Sequence, residues 1–417
     1  MCFTILMSTM LPPSTLAAPA SGLPVAKPEE VGMSSARFQL ISSTLRQYVD
    51  AGQIAGLVAG VSRHGKVVYL ESMGLQQTDA PDSKMRDDSI FQIRSMSKPI
   101  ASLAVMQLVE QGRIDLQDPV ADYIPSFANM SLFTVPADFN SPIKKPSRLL
   151  TIEDLLLNMG GLSHRDGALY RSREVRSRTD TLEQLVEKVA AVPLMAEPGT
   201  QWIYSISATV LGRIVEIVSG QKFDDYLQQH IYQPLQMTDT AFYVPAEKVD
   251  RLARIYQVPR GDAPLTQVPE MEVPITVNPP LLEGAAGIVS TVPDYLRFLQ
   301  VFLNKGELDG ARVLSADGVA QMTRNHIPDS ALPIGLSPQN PMLDRGWGYG
   351  FSVVIDKTAS AFGVNNGEFG WNGSLGTFSW ADPETGTIAV LMVQVVPSGA
   401  YNLSGIFKAM VYQTITD

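Results

Sequence analysis

The chain has 417 residues, of which 45% are hydrophobic and 18% charged, a balance typical of globular proteins that bury a substantial core. Its formal net charge of -10 and its lack of a basic cluster argue against nucleic acid or an anionic membrane as a partner, because both are bound by basic faces. Cys2 is the only cysteine and the four histidines lack a metal-ligand spacing, which excludes an internal disulfide and a downstream cysteine nucleophile and makes a metal site unexpected.

The N-terminal segment, residues 1–24, has an apolar run followed by Ala17-Ala18-Pro19-Ala20, which resembles the cleavage region of a secretory signal. No Lys or Arg precedes the run, and two prolines interrupt it. We therefore expect either a secreted or periplasmic protein with a signal segment or a cytoplasmic protein with a disordered tail. No later stretch reaches about 18 consecutive apolar residues, so a membrane span is not expected.

The region that follows is predicted to contain a helix, a hairpin and a second, buried helix. Residues 34–50 have the apolar periodicity of an amphipathic helix, and residues 56–74 form two apolar runs around a turn at His64, as in a β-hairpin. Residues 99–113 are apolar nearly all round and stop at Gly112, a pattern typical of a helix in the centre of a domain.

The middle of the sequence is predicted to be helical and rich in loops. Thr151 and Asp154 have the spacing of a capping box, which starts a helix that ends near Gly160. Further helices are predicted over residues 181–192, 208–220 and 223–231. Frequent prolines between residues 245 and 283 indicate a long surface excursion, and loops of this kind often line a site.

The pattern changes again after Gly284. A capped helix is predicted over residues 291–306, strands over residues 347–355, 370–383 and 386–396, and a closing helix over residues 407–415. Because strands lie at both ends of the chain and helices lie between them, we predict two domains. Residues 25–112 and 284–417 form an α/β sheet domain, and residues 113–283 form an inserted helical domain.

A serine and a lysine one helical turn apart, Ser95 and Lys98, are the candidate nucleophile and base. A serine hydroxyl needs a base within hydrogen-bond reach, and residues three apart on a helix lie on the same face. Lys98 would have to be neutral near pH 7, which requires lowering its pKa by roughly 3 units from about 10.4. The helix N-terminus would also direct backbone N–H groups at an oxyanion on the substrate.

The same spacing occurs at Ser219 and Lys222 and at Ser141 and Lys144, so the spacing alone is weak evidence. One of these pairs follows the end of an apolar helix and the other lies in a polar loop, whereas Ser95 precedes the most hydrophobic helix of the chain. A simpler alternative is that Ser95 only caps this helix and that the lysine is solvated.

Residues 91–125, which contain this pair, resemble the nucleophile segment of the serine β-lactamase and penicillin-binding superfamily, especially family VIII carboxylesterases and class C β-lactamases. Four further landmarks of that superfamily follow in order at residues 151–164, 197–240, 284–306 and 370–394. The resemblance implies a class C β-lactamase-like fold of the α/β (α+β) class, with an antiparallel β-sheet flanked by helices and an inserted helical domain.

The resemblance also implies roles for residues beyond Ser95 and Lys98. Tyr204 stands at the start of the second family motif, where a tyrosine shares general acid and base work with the lysine. Because both groups have ordinary pKa values of about 10, they would titrate as a coupled pair, and we name both as the base. The third motif is Trp371-Asn372-Gly373, and the backbone N–H groups of Ser95 and Ser374 are expected to form the oxyanion hole.

Two departures from the β-lactamase pattern bear on the substrate. Trp371 supplies no cation for a substrate carboxylate, and Ile206 stands where many β-lactamases place an asparagine that orients an amide. Both favour a neutral ester with a short or apolar acyl group. The predicted substrate-binding residues are Trp371, Asn372, Gly373 and Ile206. Gly373 would let substrate approach the strand edge closely, and the loops at residues 165–178 and 255–283 are expected to set the acyl-chain preference.

The resemblance implies a serine carboxylesterase that hydrolyses short to medium acyl esters through an acyl-enzyme without a cofactor, and it leaves room for weak hydrolysis of β-lactams. A small-molecule ester is the expected partner. A β-lactamase, an acyltransferase similar to a related statin acyltransferase, and a non-catalytic penicillin-binding-like protein are the alternatives. An α/β-hydrolase is excluded, because the nearest match to GxSxG, at residues 60–64, lacks the second glycine and lies in the predicted hairpin.

Overall fold

A seven-stranded antiparallel sheet lies at the centre of the computed structural model, which describes residues 22–417 except 136–137, 259–262, 270–272, 338 and 361. Its strands, numbered in chain order, are β1 (Gly56–Arg63), β2 (Lys66–Gly74), β3 (Arg345–Trp347), β4 (Ser352–Val354), β5 (Phe369–Asn372), β6 (Phe378–Asp382) and β7 (Thr387–Val393). They are arranged in the order β3-β4-β5-β6-β7-β1-β2. The pairing of β1 with β7 joins the two ends of the chain, with Leu57 opposite Val393. The predicted hairpin is therefore confirmed, and strands lie in each of the three predicted runs after residue 346. Each run is interrupted: only Trp347 and β4 are strand in residues 347–355, residues 370–383 hold β5 and β6, and residues 386–396 divide into β7 and Val395–Val396.

The helices of the described residues are α1 (Ser35–Asp50), α2 (Ser97–Glu110), α3 (Ile152–Leu156), α4 (Ala168–Ser172), α5 (Leu182–Ala190), α6 (Ser207–Ser219), α7 (Phe223–Leu227), α8 (Val292–Leu303), α9 (Ala316–Met322) and α10 (Leu403–Thr414). The predicted helices are confirmed, including the capping box at Thr151. Their ends differ in places. α3 ends at Leu156, well before Gly160, and α10 begins at Leu403 rather than at residue 407. The helix predicted at residues 223–231 divides into α7 and a π-helical turn at Gln228–Tyr232.

Both faces of the sheet are covered, which explains why β1 is buried along its whole length. Leu57, Ala59 and Val61 belong to a core cluster with side chains of α1 and α10. On the other face α8 lies against β1, β6 and β7, and a Cβ at Gly60 would come within 2.6 Å of Cγ1 of Val292. Successive strand residues point to opposite faces, so a central strand with two covered faces has a continuous apolar sequence.

Helices α3 to α7 lie between residues 113 and 283, and α2 connects them with the sheet. α2 packs on α6 and α7, and α6 packs on α3 and α5. One core cluster contains buried side chains of α2, α6 and α8 alike, so the apolar core is continuous from the helical region to the sheet. The domain limits at residues 112 and 283 stay a prediction.

Short strand pairs complete the described structure. They join Phe91–Gln92 to Val289–Ser290, Leu132–Phe133 to Ile143–Lys144, Tyr256–Gln257 to both Thr266–Gln267 and Val395–Val396, Glu307–Leu308 to Ala311–Arg312, and Ile334–Ser337 to Asn340–Met342. The first pair matters most for function. It fixes the chain just before Ser95 against the chain just before α8.

The predicted signal or tail at residues 1–24 falls almost wholly outside the described residues, which begin at residue 22. The secreted, periplasmic or cytoplasmic location therefore stays a prediction. Within the described part of the chain, no helix has the length and apolar character needed to cross a membrane.

Candidate active site

Ser95 lies in a single 3₁₀ turn, Arg94–Met96, between the short strand Phe91–Gln92 and α2. Ser97 is the first residue of α2, and neither the turn nor the helix has a side-chain cap. The alternative that Ser95 caps the helix is therefore wrong. α2 is buried over nearly its whole length, as predicted, so the core holds in place the helix that directly follows the candidate nucleophile.

The residue before Ser95 has a strained backbone. Arg94 has a φ of 49°, in the left-handed region that costs a non-glycine residue roughly 1–2 kcal/mol. Ser97 holds this conformation, since its Oγ donates to the Arg94 carbonyl at 2.6 Å and accepts from the Ile288 N–H at 3.2 Å. The Ile93 N–H donates to the Ile288 carbonyl at 3.1 Å. Ser97 thus ties the turn to the segment before α8 and fixes how Ser95 is presented.

Lys98 points from the first turn of α2 towards the candidate nucleophile. Its Nζ lies 3.5 Å from Ser95 Oγ and 2.9 Å from the Ala285 carbonyl oxygen, and 4.4 Å from the centre of the Tyr204 ring. The residue is only 3% exposed. Burial lowers the pKa of Lys98, although nearby Tyr204 opposes this shift. No carboxylate within ion-pair distance of Nζ is found in the described chain.

Tyr204 lies in a cluster of aromatic rings next to Lys98. Its hydroxyl accepts a hydrogen bond from Nε1 of Trp371 at 2.8 Å. The centre of its ring lies 5.5 Å from that of Trp371, 5.8 Å from that of Trp202 and 6.3 Å from that of Trp347. The second and third predicted motifs therefore meet through a direct contact, and the tryptophans fix the orientation of the phenol.

His164 also belongs to this site, although the sequence analysis did not select it. Its ring stacks on Tyr204 with the ring centres 5.7 Å apart, and its Nδ1 accepts from the Asp166 N–H at 3.2 Å. Burial, followed by the charge of Lys98, lowers the pKa of His164 to about 4, so the imidazole is neutral near pH 7. The one feature of the sequence that could have identified His164 is its position at the end of the family landmark over residues 151–164.

The third motif lies against the nucleophile segment. β5 ends at Asn372, the Gly373 N–H donates to the Thr377 carbonyl at 2.7 Å, and Thr377 Oγ1 donates to the Ile93 carbonyl at 3.1 Å. A Cβ at Gly373 would come within 2.4 Å of that Ile93 oxygen. Glycine is therefore needed for the close approach of two protein segments, whereas the sequence analysis expected it to admit substrate. The exposed Ser374 follows directly and has its backbone at this junction.

The other predicted substrate-binding residues, Ile206, Trp371 and Asn372, differ in how far they are buried and in what they face. Ile206 has no exposed surface, so its predicted contact with substrate is wrong, because the side chain is sealed in the core beneath α6. Trp371 is 8% exposed and faces Tyr204. Asn372 is the next residue of the same strand and points to the opposite face, where it borders a cavity lined also by Lys408 of α10.

Among the described residues, no group of three or more His, Cys, Asp or Glu side chains is arranged to hold a metal ion. The candidate site instead offers a hydroxyl, an amine, a phenol and backbone N–H groups. Such a set can carry out acyl transfer by nucleophilic catalysis.

The profile of the β-lactamase family matches residues 41–408. The chain belongs to the β-lactamase family. An uncharacterised protein of Mycobacterium tuberculosis is 30% identical over 364 residues, which cover 85% of this chain and 89% of the relative. Esterase EstB of Burkholderia gladioli is 29% identical over 401 residues, which cover 87% of this chain and 93% of the esterase.

Among solved structures, EstCE1, described as a hydrolase with promiscuous acyltransferase activity, has a TM-score of 0.77 and 25% identity. The match covers 90% of this chain and 98% of EstCE1. The predicted class C β-lactamase-like fold and superfamily are confirmed, and the chain is a serine hydrolase of this fold.

Proposed function

We propose that the protein is a serine carboxylesterase of the family VIII type that hydrolyses short to medium acyl esters through an acyl-enzyme. The observation that carries the proposal is the contact between Lys98 Nζ and Ser95 Oγ at 3.5 Å. The amine is buried and its pKa is lowered by that burial, so it is suited to accept a proton. The similarity to esterase EstB supports an ester as the substrate.

The first half of the proposed reaction forms the acyl-enzyme. Lys98, coupled to Tyr204, takes the proton from Ser95 Oγ, which forms a bond to the ester carbonyl carbon. The backbone N–H groups of Ser95 and Ser374 hold the oxyanion, a type of contact whose loss typically costs about 10²- to 10³-fold in rate. Tyr204 then donates a proton to the departing alcohol as the bond between carbon and the alcohol oxygen breaks.

The second half releases the acyl group. Water loses a proton to the pair formed by Lys98 and Tyr204 and attacks the acyl carbon. The bond to Ser95 Oγ breaks, and the serine regains its proton. The hydrogen bond from Trp371 to the Tyr204 hydroxyl keeps the phenol oriented in both halves, because it fixes the direction in which the oxygen lone pairs point.

Acyl transfer to an alcohol is a second candidate function, and the similarity to EstCE1 favours it. The same acyl-enzyme would be attacked by an alcohol in place of water. The aromatic rings around Tyr204 provide an apolar wall that could bind an organic acceptor better than water.

The test uses one of the two other serine and lysine pairs that have the same spacing in the chain. Purified Ser95→Ala protein is expected to hydrolyse p-nitrophenyl butyrate at least about 10³-fold more slowly than wild type, because the nucleophile is lost. Ser219→Ala, in the other pair at the end of α6, should keep the wild-type rate. Wild-type turnover by Ser95→Ala would disprove the proposal. Faster turnover of nitrocefin than of the ester by the wild type would favour a β-lactamase.

A further inference from the structure

A buried carboxylate bonded to two arginines connects the two chain segments that contact Lys98 and Tyr204. Glu283 is only 2% exposed. Its Oε2 accepts from Arg165 Nη1 at 3.1 Å and from Arg176 Nη2 at 2.8 Å, and its Oε1 accepts from Arg176 Nε at 3.0 Å. Burial alone would raise the pKa of Glu283, but the two arginines lower it to about 2. The carboxylate is therefore charged and held at both of its oxygens.

Glu283 also begins the turn that supplies the acceptor of Lys98. Its carbonyl oxygen accepts from the Gly287 N–H at 2.7 Å, which closes the turn around Ala285. The Ala285 N–H donates to Thr209 Oγ1 at 3.2 Å, and the Ala285 carbonyl accepts from Lys98 Nζ at 2.9 Å. Because both polar groups of the Ala285 backbone are hydrogen-bonded, the direction of this carbonyl is fixed. The Glu283 side chain anchors the start of the turn.

The Ala285 carbonyl determines how the amine of Lys98 is oriented. A charged lysine has three N–H donors and no acceptor, whereas the neutral amine has two N–H groups and one lone pair. An N–H directed at the Ala285 oxygen limits rotation about the bond between Cε and Nζ. The lone pair can then lie towards Ser95 Oγ, which is 3.5 Å from Nζ. A displacement of the turn would therefore weaken proton transfer from Ser95.

Arg165 connects the same carboxylate to the tyrosine of the proposed base pair. It directly follows His164, whose ring stacks on Tyr204 with the ring centres 5.7 Å apart. Only 12% of the Arg165 side chain is exposed, so its direction is set by its partners inside the protein. The ion pair of Arg165 with Glu283 thus joins the segment that contacts the tyrosine to the turn that contacts Lys98.

Building on the proposed esterase function, we propose that Glu283 and Arg165 are positioning residues whose ion pair keeps the proposed base in its productive geometry. In the part of the chain that the structure describes, neither residue is hydrogen-bonded to Ser95, Lys98 or Tyr204. Both therefore act through the segments that they hold. Such an effect is large enough to measure, because a misplacement of about 1 Å caused by a remote change can cost roughly 10²-fold in rate.

The two charges of the ion pair act on Lys98 in opposite directions. Burial lowers the pKa of Lys98 most, and Tyr204 opposes this shift. Of the smaller contributions, that of Arg165 lowers the pKa further and that of Glu283 raises it. His164 also lies near this amine and is neutral near pH 7. Loss of the carboxylate should therefore let the amine become neutral at lower pH, whereas loss of the guanidinium should delay this to higher pH.

The experiment measures kcat and kcat/KM for p-nitrophenyl butyrate against pH, with spontaneous hydrolysis subtracted. The plateau at high pH reports the rate with Lys98 neutral, and the midpoint of the rising limb reports its apparent pKa. Glu283→Gln should lower the plateau by about 10- to 100-fold and move the midpoint to lower pH. Arg165→Gln should lower the plateau similarly and move the midpoint to higher pH. In both variants kcat and kcat/KM should fall equally, because substrate binding is unchanged.

Two further variants separate positioning from a general loss of stability. Glu283→Asp keeps the charge but shortens the side chain, so its plateau should fall while its midpoint stays near that of the wild type. Glu368→Gln is the matched control, because the Glu368 carboxylate is also buried and is bonded to Arg345 and Lys408. It should lower the stability in urea unfolding but leave both the plateau and the midpoint at their wild-type values.

Unchanged plateaus in folded Glu283→Gln and Arg165→Gln proteins, or midpoints that move in the same direction, would overturn the inference and leave the esterase proposal intact. If Glu283→Gln does not fold, Arg165→Gln decides alone. A lower plateau with a midpoint at higher pH then supports the inference, and any other profile overturns it. A folded wild type that does not hydrolyse the ester would overturn both the inference and the esterase proposal.

Discussion

Two buried lysines, Lys98 and Lys408, lie on different sides of β5 and have opposite surroundings. Both are almost wholly buried, with 3% and 4% exposure. Lys98 faces a hydroxyl, a carbonyl and the face of a phenol ring. Lys408 is bonded to the carboxylate of Glu368, which also accepts hydrogen bonds from Arg345 and Tyr412. Burial alone therefore does not make a lysine a base, because the partner decides which protonation state is stabilised.

The two amines differ in whether a carboxylate is bonded to them. Burial lowers the pKa of Lys408 to about 8 even though Glu368 acts in the opposite direction, so this lysine is charged near pH 7 and held in an ion pair. Burial lowers the pKa of Lys98 without a carboxylate bonded to it. Lys98 can exchange protons with a neighbour, whereas Lys408 stabilises the packing of α10 on the sheet.

The largest expected effect comes from replacing Lys98. Lys98→Met should reduce kcat for p-nitrophenyl butyrate by roughly 10²- to 10⁴-fold, because the proposed general base is lost. The free energy of unfolding should stay the same or rise, since an apolar side chain replaces a buried amine that has no ionic partner. Lys222→Met serves as the control, because it removes the exposed lysine of the matching pair in the chain. Near wild-type kcat in Lys98→Met would contradict the assignment of the base.

Replacing Lys408 should lower the stability of the protein and leave kcat nearly unchanged. Lys408→Met leaves the buried Glu368 without one of its cations, and removal of one partner of a buried ion pair typically costs about 3–5 kcal/mol. Urea unfolding should show this loss of stability, while kcat of the folded protein stays within about threefold of wild type. The double variant Lys408→Met with Glu368→Gln should recover part of the loss. A Lys408→Met protein that is as stable as wild type but has a large loss of kcat would contradict the structural role of Lys408.

The smallest effect concerns the pH dependence of the wild type. Lys98 must be neutral to accept a proton, so kcat/KM should rise with pH along a limb whose apparent pKa lies below the ordinary lysine value of 10.5. His164 does not produce this limb, because its pKa of about 4 leaves it neutral over the range of the measurement. The limb should therefore persist in His164→Asn. A limb near the ordinary histidine value of 6.5 that disappears in this variant would assign the base to His164.

Much of the fold could be predicted from local patterns. The apolar run of β1, the capping box at Thr151 and the apolar helix α2 can each be recognised from a few neighbouring residues. Helix ends were predicted less well. α3 stops at Leu156, because Asn158 takes a left-handed backbone with a φ of 55°, which ends the helix before the glycines. Ile206 was assigned to the substrate by its position in a motif, and the structure seals it in the core.

The sequence by itself determined which groups could do chemistry, because the spacing of Ser95 and Lys98 and the motifs at Tyr204 and Trp371 are local in the chain. Only the tertiary structure decided their burial and their neighbours. The carbonyl of Ala285 that receives Lys98, the imidazole of His164 on Tyr204, and the arginines around Glu283 are brought together from distant segments. A pKa depends on burial and on charges within a few ångströms, and neither quantity can be determined from residue order before the chain has folded.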